Sequence, residues 1–138
     1  VSTIEKFIYA SDTTEIVANV SLSTNQYYQY ATGNSTAGYF SGGWVTYSTM
    51  NKVTYSIDNT AALPSTGNLS DGRNELAATG NSTAGYFGGG GPGPRTTMDK
   101  ITYSTDTTAY VPGANLTVGR AILSATGNST HGYFLVLH

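Results

Sequence analysis

The sequence predicts an all-β protein. Three observations carry that prediction. The chain has 17 Gly and 11 Tyr in 138 residues, and Ser plus Thr supply about a quarter of it. Such a composition suits strands and tight turns better than helices. Apolar and aromatic residues recur at every second position, as in Phe7 with Tyr9, Val53 with Tyr55 and Ile101 with Tyr103. That period of two is the mark of a half-buried strand. The chain also repeats itself. Residues 31–40 return unchanged as 78–87, after 47 residues, and again as 125–134 with His131 in place of Ala37 or Ala84.

The repeat orders the elements. Each unit reads as four strands. Strand a covers residues 26–32, 74–79 and 121–126. A Gly-Asn-Ser-Thr segment follows, expected to be a tight hairpin because Gly and Asn tolerate positive φ. Strand b covers 37–41, 84–88 and 131–137. Strand c covers 5–10, 51–56 and 99–104, and each copy carries a Lys (Lys6, Lys52, Lys100) and a Tyr (Tyr9, Tyr55, Tyr103). An Asp-containing turn comes next (Asp12, Asp58, Asp106), then strand d, running to about Val20, Pro64 and Pro112.

A 47-residue unit of four short strands is the size of one β-propeller blade. The expected organisation is a c–d half-blade over residues 1–25, repeats over 26–73 and 74–120, and a closing a–b half-blade over 121–138. That is three blades per chain, and propellers typically have at least ~4. Completion is expected from another chain, six blades as a homodimer, or from further sequence. Each mixed blade of the dimer would take c–d from one chain and a–b from the other. Closed symmetry of this kind removes exposed strand edges. The third copy replaces Ser41-Gly42-Gly43 and Gly88-Gly89-Gly90 with Leu135-Val136-Leu137. That substitution is expected to mark a real end docked in a sheet. A chain that opens on Val1 is expected to be a processed product or a fragment.

Arg73 followed by Tyr86-Phe87-Gly88-Gly89, and Arg120 followed by Gly132-Tyr133-Phe134, resemble the first half of a kelch-type repeat. Residues 100–120, where a Tyr precedes a short Asp turn, resemble the second half. The kelch Trp after that turn is replaced by Tyr110 or Ala62. Strings with Gly-Tyr-Phe-Gly-Gly and Ala-Thr-Gly-Asn are also similar to repeats of phage virion and tail-associated proteins. The resemblance implies a kelch-like propeller closed by joining half-blades, and a virion or extracellular setting.

Composition excludes several functions. With no Cys there is no disulfide scaffold, thiol nucleophile or thiolate metal site. A net charge of −2 gives no electrostatic footprint for nucleic acid. No apolar run approaches the ~18 residues of a membrane helix, and no signal-peptide pattern opens the chain. The histidines are His131 and His138, and no triad, His-x-x-x-His pair or carboxylate pair is recognisable. Residues 88–94 lack the Lys-Ser/Thr of a phosphate loop. No catalytic residue, metal or cofactor is expected.

Lys6, Lys52 and Lys100, with Asp12, Asp58 and Asp106, are identical in all copies, which fits fold better than a single site. Each Asp is expected to hold its turn by bonding backbone N–H groups. Each Lys is expected to lie along its strand or pair with a neighbour. The b–c and d–a loops vary and share one face, where binding is usually placed. They nominate Trp44, Tyr47, Asp71, Arg73, Arg95 and Arg120 as ligand-binding residues, with aromatic stacking on a sugar and Arg or Asp on its hydroxyls. The structural account of the same residues has Trp44 packed between blades and the Arg side chains covering the rim. Asn19, Asn34, Asn68, Asn81, Asn115 and Asn128 sit in Asn-x-Ser/Thr triplets and are glycosylation candidates.

The expected function is a non-enzymatic structural or recognition module of a virion appendage, tail or fibre, or of an extracellular surface assembly. A sugar-binding propeller and a glycosylated extracellular filament subunit are the alternatives. Expected partners are a second copy and a cell-surface glycan.

Overall fold

Short alternating segments bounded by Gly, Asn and Asp become strands of four or five residues in the computed structural model, which describes residues 3–18, 20–23 and 26–136. Asn19, Leu137 and His138 lie outside the described residues. The architecture is all-β, in four antiparallel sheets. A two-stranded sheet joins β1 (Glu5–Ile8) to β2 (Thr13–Ile16). A four-stranded meander follows: β3 (Tyr30–Gly33), β4 (Ala37–Ser41), β5 (Asn51–Thr54) and β6 (Asn59–Ala62). A second meander comprises β7 (Ala77–Gly80), β8 (Ala84–Gly88), β9 (Met98–Thr102) and β10 (Thr107–Tyr110). A two-stranded sheet of β11 (Leu123–Gly127) and β12 (Gly132–Val136) ends the described chain. No helix among the described residues is long and apolar enough to cross a membrane.

The first strand of each unit starts later than its composition predicts. Tyr28, Glu75 and Ile122 occupy equivalent positions and take φ of 58°, 52° and 58°. A left-handed residue breaks extended geometry, so β3, β7 and β11 begin only after it. The hairpin glycines also act differently from expectation. Gly33, Gly80 and Gly127 do not take positive φ. They are needed because there is no room for a Cβ: one on Gly80 would lie 2.6 Å from the Tyr103 hydroxyl and 2.6 Å from the Ala84 carbonyl oxygen. The turn itself is built by Asn. Asn34 Oδ1 accepts from the Thr36 and Ala37 N–H groups at 2.9 and 3.1 Å, and Asn81 and Asn128 make the same pair of bonds.

The core lies between the two meanders, where Tyr39, Met50, Leu76, Phe87 and Ile101 are essentially inaccessible. Fully burying each apolar side chain of this size contributes about 1.5–3 kcal/mol. The seam between the sheets is closed by Tyr103, which stacks on Tyr39 at 4.9 Å and shares a 3.0 Å hydrogen bond with the Thr32 hydroxyl.

Asp58 and Asp106 reach across seams with their side chains. Asp58 and Asp106 sit at φ of 47° and 54° in their turns, a conformation Asp tolerates. Asp106 takes the Lys52 ammonium at 2.8 Å and the Tyr39 hydroxyl at 2.6 Å. Asp58 takes Lys6 at 2.7 Å, and Lys6 also meets Glu15 at 2.9 Å. The Lys of one sheet therefore grips the turn of the next, and the step is made twice. These contacts go to the neighbouring sheet, whereas the sequence predicts bonds to the turn's own backbone N–H groups.

Equivalent tyrosines change exposure along the row of sheets. Tyr9 is 88% exposed, Tyr55 46% and Tyr103 7%. The strand-b tyrosines run the opposite way, from Tyr39 at 1% to Tyr133 at 61%.

Candidate functional site

The b–c loops and the segments preceding β7 and β11 meet through the backbone. Gly43 N–H donates to the Arg73 carbonyl at 3.1 Å, and Gly90 N–H to the Arg120 carbonyl at 2.7 Å. Gly43 holds φ of 130°, and a Cβ there would lie 2.7 Å from the Tyr27 carbonyl oxygen. That close approach lets Trp44 N–H donate to Tyr27 at 2.8 Å. The left-handed Tyr28 puts its ring 6.2 Å from the Trp44 ring. Trp44, Tyr27 and Tyr28 together line an open cavity of about 500 Å³.

All three rings face solvent: Trp44 is 53% exposed, Tyr27 72% and Tyr28 68%. Trp44 is not packed between sheets. Tyr27 and Tyr28 are absent from the residues the sequence nominates, because the Tyr-Tyr pair lies in a segment that reads as strand. One signal was available. Residues 27–30 read Tyr-Tyr-Gln-Tyr where their counterparts read Asn-Glu-Leu-Ala and Ala-Ile-Leu-Ser, so the whole stretch before the identical residues 31–40 departs from the repeat.

The nominated polar residues divide. Asp71 and Arg95 form a surface ion pair, and the Arg95 guanidinium holds the Asp71 carboxyl below its usual range. Tyr47 is half-buried, with its backbone beside Gly72. Arg120 is half-buried and bonds the Arg95 carbonyl through its N–H at 2.9 Å. Arg73 is not on the loop surface. It is fully buried, paired with Asp99 at 3.0 Å and donating to the Phe87 carbonyl at 3.1 Å. Burial lowers its pKa, and the Asp99 carboxylate opposes that shift. The pair ties the segment before β7 to β9 inside the protein, so this guanidinium is not presented to a ligand.

The remaining Asn-x-Ser/Thr positions also have structural work. Asn68 and Asn115 accept hydrogen bonds from the N–H groups of Met50 and Met98 at 3.4 and 3.2 Å. Backbone bonding, within the turn at 34, 81 and 128 and to another strand region at 68 and 115, thus gives each of these Asn a structural role. Among the described residues no three His, Asp or Glu side chains gather around a common point.

The chemistry of the loop face is that of an exposed, amphipathic aromatic cluster, with the Tyr28 and Trp44 rings tilted 56° to each other. Indole and phenol rings offer apolar faces for stacking and polar edges for hydrogen bonds. A polar Asp71–Arg95 pair belongs to the same set of loops. Compared with protein-family models and with curated proteins, the chain matches none.

Proposed function

We propose that the chain is a non-enzymatic structural and recognition module of kelch-like propeller blades. Its meanders are two blades and its two-stranded sheets are half-blades. A second copy completes them as a six-bladed ring, in a virion appendage or an extracellular surface assembly. The observation that carries this reading is the contrast between the two sets of loops. The a–b turns are three copies of one Asn-held hairpin, whereas the b–c loops differ and one of them exposes Trp44. A rigid scaffold with one variable loop set is the usual arrangement for recognition.

The Trp44–Tyr27–Tyr28 cluster favours one ligand class, a saccharide, which brings the recognition and sugar-binding readings together. Rings stack on the C–H face of a pyranose, and Asp71 with Arg95 suits its hydroxyls. Glycan-array binding of the 138-residue chain tests this. Binding that falls at least about tenfold in Trp44→Ala and Tyr28→Ala is expected, since aromatic anchors dominate such contacts. No glycan bound, or binding unchanged in both variants, removes the saccharide. Negative-stain microscopy then tests the structural role by showing a ring, a fibre or isolated chains.

A further inference from the structure

The interior seam shows what a finished contact between sheets contains. Tyr103 fills a slot made by Thr32 and Tyr39 of the preceding sheet and by Gly80 and Gly85 of its own. Between the second meander and the β11–β12 sheet the same slot is built and empty. Thr79, Tyr86 and Gly132, the counterparts of Thr32, Tyr39 and Gly85, line a cavity of about 240 Å³. The residue that would fill it is the strand-c Tyr of the sheet begun by β11 and β12. The chain has one such Tyr without a slot, Tyr9, at the opposite end of the row.

The other end mirrors this. Lys6, Tyr55 and Asp58 line a cavity of about 160 Å³. Their counterparts Lys52, Tyr103 and Asp106 surround Tyr39. The matching strand-b Tyr without such surroundings is Tyr133, which is 61% exposed.

Charge tells the same story. The chain has six Lys and Arg. Among the described residues Lys6, Lys52, Arg73 and Arg95 are ion-paired, and Lys100 and Arg120 are not. By position, Lys100 lacks the turn Asp that Lys6 and Lys52 hold, and Asp12 is the turn Asp without a Lys. Arg120 occupies the place of Arg73, whose partner is Asp99, and the counterpart of Asp99 in β1 is Glu5. In the first meander both positions are neutral, Gln26 and Asn51. The unpaired cations at one end thus match the unpaired carboxylates at the other.

We propose that a second copy of this chain docks its β1 against the open edge of β12, with Tyr9 entering the Thr79–Tyr86 slot and Tyr133 entering the Tyr55–Asp58 slot. This rests on the blade reading above and specifies its seam. The register follows from the two complete sheets, where Tyr39 faces Lys52, Tyr86 faces Lys100 and Gly88 faces Met98. Across the copies Tyr133 faces Lys6, Phe134 faces Glu5 and Leu135 faces Ile4. Arg120 pairs with Glu5, and Lys100 with Asp12. Backbone groups that β12 and β1 leave open at their outer edges then form a ladder, the usual remedy for a free edge.

The chain has no Cys, so disulfide trapping has no background. An equimolar mixture of Leu135→Cys and Ile4→Cys chains should oxidise to a covalent pair, because facing Cα atoms lie ~5 Å apart. Leu135→Cys with Glu5→Cys, one residue out of register and on the other sheet face, should not. By sedimentation, Glu5→Arg should weaken association by at least about tenfold, and adding Arg120→Glu should recover most of the loss. A monomeric chain at tens of micromolar overturns the proposal. So does an assembly that gives no Leu135–Ile4 disulfide and no charge-swap recovery. A chain carrying both Leu135→Cys and Ile4→Cys separates the seam from ring size. Covalent species that stop at two copies support both, whereas a longer ladder supports the seam and removes the six-bladed closure.

Discussion

The Tyr39 and Tyr103 rings stack 4.9 Å apart and 14° from parallel, across the seam between the two meanders. Tyr39 belongs to β4 and Tyr103 follows β9, so this contact ties together chain segments far apart in sequence. Tyr103→Ala removes a buried ring and should cost about 3–5 kcal/mol. Tyr103→Phe keeps the stack and loses the Thr32 bond, for a cost of about 1 kcal/mol. Urea unfolding of the two variants checks both values and their order.

Arg73 and Asp99 are both inaccessible. Asp99→Ala leaves a buried guanidinium without its counter-ion, at a cost of about 3–5 kcal/mol. The double variant Arg73→Gln with Asp99→Asn copies the neutral residues at positions 26 and 51. It should recover most of that loss, since removing both charges leaves neither uncompensated. A double variant as unstable as Asp99→Ala would show that the cavity, not the charge, dominates.

Gly80→Ala tests the close approach in the second hairpin. The added Cβ meets two oxygens and the Thr32 hydroxyl within 2.7 Å. Overpacking of this kind costs about 1–3 kcal/mol. Gly113→Ala, with open space around its Cβ, should change stability by less than about 0.5 kcal/mol. Thermal unfolding of the pair separates crowding from any general effect of losing a glycine.

Stability should fall on the alkaline side. Hydrogen bonds to Asp58 and Glu15 raise the pKa of Lys6 above its ordinary 10.5. Burial, then the Asp106 contact, raises Tyr39 above 10.0. Both groups hold a proton more tightly folded than unfolded, so their stabilisation is complete below about pH 10 and is lost as pH rises through the folded values. Tyr39→Phe should flatten the alkaline limb of a stability profile. Asp71 works in the opposite sense: Arg95 lowers it from 3.8, so its contribution is present above that pH and lost on acidification through the lowered value. Asp71→Asn should remove that part of the acid limb only.

Local chemistry was legible in the sequence where it acts within one unit. The b strands over 37–41 and 84–88 coincide with β4 and β8, because strict repetition and flanking turns fix both ends. Contacts between units were harder to read. The Asp of each c–d turn looked like a local turn residue, yet its partners, Lys52 and Tyr39 for Asp106, lie 54 and 67 residues away. Arg73 looked like a loop cation because Gly72-Arg73 sits between strands, and only the sheet brings Asp99 to it. Tyr27 and Tyr28 were hidden in an expected strand, since no sequence pattern announces a left-handed Tyr.

The opposed exposure of Tyr9 and Tyr133 gives the molecule a direction. Its two ends are unlike and complementary, so any contact between copies through them runs head to tail. Such a contact has no local feature that counts subunits. Whether successive copies close or keep extending is set by the rotation accumulated at each seam. A change far from the ends, in the angle at which β3 packs on β7, could therefore switch a ring to a fibre without altering a single residue of the joint.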